Sequence, residues 1–246
     1  MLRMTKRRRT SLPDVSSLLT SQPIEVEVGN APKETFLIHK SLLCMESEKY
    51  RALLQGTGDW KEKSENKITI VDEDPKLFRS YAKYLYYDDW TYQNDDEESC
   101  IVHLARLYCL GDRLVAKRFQ ESILWRFDLE LNYAFVENVS DDDLCGILEV
   151  AFSELPERPD VDPLQRKVAR LGASRLFDLQ KYPRFKDELS KDVPEITRRM
   201  CLCMAPMELR DLEKERLLQN KRKTTARGVK CDQEEKSEHP LERFYI

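Results

Sequence analysis

Between Pro23 and Val28 the chain alternates apolar Ile24, Val26 and Val28 with acidic Glu25 and Glu27. This period of two predicts a strand with one buried face. Gly29 and Asn30 carry turn chemistry, and Thr35–Ile38 ("TFLI") predicts a second strand antiparallel to the first. After His39 the period lengthens: Leu43, Ser47, Tyr50 and Leu54 fall at i, i+4, i+7 and i+11, one face of a helix or of two consecutive short ones. "GTGDWKEKSEN" (56–66) reads as a solvated loop and "KITIV" (67–71) as a strand. Asp74 is a candidate N-cap with Pro75 at the first helical position of a helix that buries Phe78, Tyr81, Ala82 and Leu85.

The acidic stretch "QNDDEES" (93–99) predicts a loop, after which Ile101, Leu104, Ala105 and Tyr108 mark a helix. Leu110-Gly111-Asp112 predicts a turn, with Val115, Phe119, Ile123 and Phe127 on a further helix. Beyond residue 130, Leu144, Leu148 and Ala151 predict one helix and Leu164, Val168 and Leu171 a second, split by "LPERPDVDP" (155–163). Leu12–Leu19 predicts a short helix near the N-terminus, and Met207–Lys223 a heavily charged one with a thin apolar set.

Composition changes the picture in three ways. Of 246 residues 41% are hydrophobic and 35% charged, with mean hydropathy −0.62, so folded parts with polar extensions are expected. Net charge is uneven: +4 over residues 1–23, −6 over 24–130, −5 over 131–197 and +3 over 198–246. An acidic body without a basic stripe argues against nucleic-acid binding, which rests on phosphate neutralisation. The cluster Lys6–Arg9 is a candidate nuclear import signal, but the first stretch shows no apolar run after its basic residues and no secretory leader is expected. No stretch approaches the roughly eighteen apolar residues of a membrane span, so a soluble cytoplasmic or nuclear protein without membrane contact is expected.

Candidate chemistry is sparse. The seven cysteines are odd in number and scattered, as expected for reduced thiols, and no CxxC pair suggests structural zinc. Cys44 follows His39 by five residues, about 140° apart around a helix axis, which is poor geometry for a nucleophile and its base. His39 is expected instead to bond nearby backbone and tie strand to helix. Cys100 and His103 have ligand spacing but lack further partners. The acidic clusters at 72–74, 95–98 and 141–143 read as solvated loops and helix caps. No glycine-rich phosphate loop occurs. The expectation is a non-enzyme with no cofactor, no metal and no small-molecule substrate.

Three stretches in order, "VEVGNAPKETFLIHKSLLCMESEKY" (26–50), "DWKEKSENKITIVDEDPKLFRSYAKYLYYDDW" (59–90) and "LARLYCLGDRLVAKRF" (104–119), resemble the BTB/POZ domain, and specifically the BTB proteins of fungi. His39, Lys40, Leu43, Ser47 and Tyr50 carry the fold signature. The resemblance implies an α+β fold, a short strand layer capped by a cluster of α-helices. It would place the BTB domain at 20–130, while charge and residue pattern predict a basic, mostly disordered N-terminus at 1–19, a helical appendage at 131–200 and a charged helix and disordered tail at 201–246. It implies protein–protein association without catalysis, as a homodimer or with other proteins, and a role as substrate adaptor on a cullin–RING ubiquitin ligase. In cullin-binding members the loop before the third strand carries a hydrophobic residue, any residue, then glutamate; Trp60-Lys61-Glu62 stands in the matching place.

Two departures stand out: Pro23 replaces an acidic residue before the first strand, and Arg51 replaces an aromatic after Tyr50. These 246 residues show no pattern expected of a substrate-recruiting domain, so in an adaptor the helices beyond 130 or the tails are expected to recruit. The other function class left open is a nuclear transcription or chromatin regulator that uses the domain to dimerise. It lacks a recognisable DNA-reading motif.

Overall fold

The computed structural model describes residues 18, 20–58, 60–88, 99–133, 139–158 and 160–204. The predicted helix over 12–19 (Leu18 apart), the acidic loop over 93–98 and the charged helix over 207–223 lie outside the described residues.

The architecture is α+β, a small sheet against many helices. Strands β1 (Pro23–Val28) and β2 (Glu34–His39) pair antiparallel, with Ile24 opposite Ile38 and Val26 opposite Phe36. Helices α1 (Lys40–Glu46), α2 (Glu48–Gln55) and α3 (Lys61–Glu65) then form a crossover that returns the chain to β3 (Lys67–Ile70), parallel to β1. The sheet order is β2-β1-β3. The alternation expected of β1 holds: Ile24, Val26 and Val28 are fully buried, while Glu25 and Glu27 on the other face both pair with Lys67 of β3.

Helix α4 (Pro75–Tyr87) starts as predicted, with Asp74 accepting from the Lys76 N–H at 2.8 Å and Pro75 inside the first turn. Its rings connect layers: Phe78 packs on Phe36 of the sheet with centroids 5.1 Å apart, and Tyr81 and Tyr84 pack on Phe119 at 5.0 and 4.9 Å. Because α4 is covered on both sides, Tyr84 is buried as well, whereas Ala82 is only half-buried.

Helices α5 (Cys100–Arg113) and α6 (Lys117–Tyr133) correct the predicted turn at 110–112. Gly111 is inside α5. A Cβ there would sit 2.7 Å from Gln120 Cγ and 3.1 Å from Phe119 Cδ1, so the glycine lets α6 pass close by. The chain turns instead at Leu114–Ala116, and Val115 is in that turn, not on α6. There the Ala116 N–H bonds the Gly111 carbonyl at 2.8 Å and the Val115 N–H bonds Asp112 at 3.0 Å, the closure of a helix by one left-handed residue. That residue is Val115, at φ 52°.

Helices α7 (Asp141–Ser153) and α8 (Pro163–Ser174) follow, then α9 (Leu176–Leu179), a π-helical turn (Arg184–Leu189), α10 (Ser190–Asp192) and α11 (Pro194–Met204). Helix α7 lies close on α5, where a Cβ on Gly146 would come within 3.1 Å of Val102. One hydrophobic cluster runs from Ile24 of β1 through Leu104 and Leu107 of α5 to Leu148, Val168 and Met200. The core is therefore continuous across residue 130.

Candidate protein-binding site

The signature residues meet where the strand pair enters the helices. Leu43 and Tyr50 are buried core. Ser47, a polar residue in an apolar stripe, breaks the helical run with extended angles (φ −120°, ψ 120°) and separates α1 from α2. Its hydroxyl accepts the Tyr50 N–H at 3.1 Å, capping α2, and donates to the Leu114 carbonyl at 2.5 Å. The Glu48 N–H adds a bond to the Val115 carbonyl at 3.3 Å, so the strained turn after α5 receives the N-terminus of α2. Arg51 donates to the Cys44 and Met45 carbonyls at 2.9 and 3.3 Å, which satisfies the C-terminal end of α1 and explains a cation where the family resemblance calls for an aromatic. Pro23 occupies the first place of β1, where a missing N–H is tolerated.

His39 does not bond nearby backbone through its ring. Its Nδ1 lies 2.8 Å from the hydroxyl of Tyr86, and its N–H donates to that same hydroxyl at 3.2 Å. The expectation missed a partner 47 residues away because Tyr86 becomes a neighbour only when α4 is laid beside β2. Lys40 follows as the first residue of α1. Cys44 is not brought to His39; its thiol points at the Tyr50 carbonyl, 3.8 Å away, and burial pushes its pKa up. A thiol held protonated in apolar surroundings is a poor nucleophile.

Trp60 leads into α3 from extended backbone (φ −82°, ψ 137°) and is half exposed, at 52%. Its indole lies against Gly58, where a Cβ would come within 2.5 Å of Nε1. The ring thus rests one side on its own loop and opens the other to solvent. Glu62 is in the first turn of α3, where the helix dipole favours a carboxylate. The helix is short but anchored: Asn66 ends it in a left-handed conformation (φ 56°), donates its amide to the Pro23 carbonyl at 3.2 Å and accepts the Glu25 N–H at 3.3 Å. The C-terminal end of α3 is thereby tied to the start of β1.

The acidic cluster at 141–143 has the capping role expected of it. Ser140 and Asp143 bond each other at the start of α7, Asp141 pairs with Arg175, and Asp142 pairs with Arg184 at 2.7 Å. A cleft of about 500 Å³ between α5 and α7 is polar, and Arg184 ties up Asp142 and Glu149 at its mouth. Among the described residues no three His, Cys, Asp or Glu side chains come together as a metal site, and no helix is long and apolar enough to cross a membrane. In comparison with known proteins, the chain matches no family model and no curated protein sequence.

Proposed function

We propose that this chain is a non-enzymatic protein-interaction module of the BTB/POZ type that serves as an adaptor on a cullin scaffold, with Trp60 as anchor and Glu62 at the polar rim. The observation that supports this most is the setting of Trp60: a large aromatic half open to solvent, seated on Gly58 at the start of α3. Exposed tryptophan on a rigid support is the residue type that dominates binding energy at protein interfaces. The element order, two strands, a helical crossover, a third strand and then helices, agrees with the three sequence stretches that resemble the family. Cys44 and His39 face different partners, which counts against a catalytic pair of these two residues.

Affinity purification of the wild-type chain beside a Trp60→Ala, Glu62→Ala double variant tests the proposal. A cullin recovered with the first and lost from the second supports it, provided both melt at the same temperature. No cullin with either would overturn it.

A further inference from the structure

On β2 the inner face is committed to the core, but the strand is an edge of the sheet. The His39 N–H points away from β1 to the Tyr86 hydroxyl. Backbone groups alternate sides along a strand, so the N–H groups of Leu37 and Thr35 point the same way, outward from the sheet. Running beside this edge is a stripe of α4: Arg79, Lys83 and Tyr86, at i, i+4 and i+7. Its ends are pinned, Arg79 to Glu34 at 2.5 Å and Tyr86 to His39 at 2.8 Å. Between the pins lies a groove of about 340 Å³ that includes Lys83 and Tyr87. Leu37 is 70% and Tyr87 78% exposed there, and Lys83 makes no ion pair among the described residues.

We infer that this groove binds an extended segment of another protein that carries a carboxylate between apolar residues. The segment would add a strand to the edge of β2, accepting hydrogen bonds from the Leu37 and Thr35 N–H groups. Its carboxylate meets the ammonium of Lys83, and its apolar side chains cover Tyr87 and Leu37. Charge selects the occupant: Lys83, without an ion pair among the described residues, stands between the two pins of the groove as a free cation for a carboxylate. A second copy of β2 fits less well, because its one carboxylate, Glu34, is already held by its own Arg79. The groove is lined by β2 and α4 and includes neither Trp60 nor Glu62, so this inference and the cullin proposal fail independently.

Selection of random extended decapeptides displayed on phage against the full chain tests it. The expected enriched peptides carry Asp or Glu flanked by apolar residues. Their affinity drops by about tenfold or more in Lys83→Glu, which loses the charge pair. Leu37→Pro abolishes binding because it removes an outward N–H without touching the ladder to β1. Thr35→Pro serves the same purpose if Leu37→Pro does not fold. An enriched set with no acidic preference, or one that binds all variants equally, overturns the inference. So does a chain that selects no peptide at all; if it also forms a dimer that Leu37→Pro dissociates, a second copy is the occupant.

Discussion

Val115 holds a conformation that suits glycine. At φ 52° its branched side chain crowds the following carbonyl, a strain of about 1–2 kcal/mol for an L-residue. The fold accepts it because the Leu114 and Val115 carbonyls, aimed by that turn, receive Ser47 and Glu48 at the start of α2. The residue is 39% exposed, so the glycine gives up part of a valine's burial and keeps only part of the strain relief. Val115→Gly should therefore raise stability by about 0.5–1 kcal/mol, the relief of strain less the extra freedom that glycine gives the unfolded chain. A urea titration reads this directly, and a lower midpoint would mean that valine packing outweighs the strain. The opposite sign is expected at Ser47, which is fully buried. Ser47→Ala removes the cap of α2 and leaves the Leu114 carbonyl without its hydroxyl donor, at a cost of about 2 kcal/mol by the same titration. Because both changes act on one turn, the double variant should depart from additivity.

At the scale of elements, burial decides which cysteines react. Cys44 in α1, Cys109 in α5 and Cys145 in α7 are buried, and burial pushes all three thiols up, Cys145 to about 11, whereas Cys201 on α11 is exposed. Iodoacetamide at neutral pH, followed by mass spectrometry, should label Cys201 well before those three, which become reactive only on unfolding. Labelling of Cys44 as fast as Cys201 in the folded chain would contradict its burial. The same thiols set an alkaline limit. A group whose folded pKa is raised lends stability that is complete below its unfolded value and is lost as pH rises through the folded one. For Cys145 that window runs from 9 to about 11. The urea midpoint should stay level up to pH 9 and fall beyond it, less steeply in Cys145→Ala; equal slopes in both would remove Cys145 from the cause.

Elements were legible where one local rule decided them. The alternation of β1, the Asp74-Pro75 start of α4 and the apolar spacing of α7 and α8 needed no distant partner. The turn at 110–112 was misread because glycine signals both a turn and a close approach, and the second meaning depends on α6 passing Gly111. The parallel pairing of β1 with β3 and the bond from His39 to Tyr86 were out of reach for the same reason: both are made by long crossings of the chain. Of the candidate site, Trp60 and Glu62 could be named from a loop pattern. The contact of Trp60 with Gly58 is local but needs the loop's conformation, and the tie of Asn66 to Pro23 appears only once β1 and β3 are paired.

In the whole molecule the sheet and the later helices share one core, and one cation ties them together. Arg113, at the end of α5, makes a two-bond pair with Glu73 at 2.7 and 2.8 Å and a further bond to Glu154 after α7 at 2.8 Å. Glu73 precedes α4 and its side chain is only 7% exposed, so loss of the guanidinium leaves a nearly buried carboxylate without its partner. Complete burial of such a broken pair costs about 3–5 kcal/mol; with a third of the arginine open to water, about 2 kcal/mol is expected for Arg113→Ala. Arg113→Lys should recover less than half, since an ammonium cannot reproduce the planar two-bond fit to Glu73. Both variants should still unfold in a single transition by circular dichroism and tryptophan fluorescence, because the apolar cluster from Ile24 to Met200 stays intact. Truncation after residue 130 has the opposite character. It strips α7 from α5 and uncovers the face of α5 that carries Val102 and Cys109, so the fragment over 20–130 should lose its cooperative transition. A fragment that unfolds as sharply as the full chain would show that the sheet and first helices close a core of their own, with the later helices added to it.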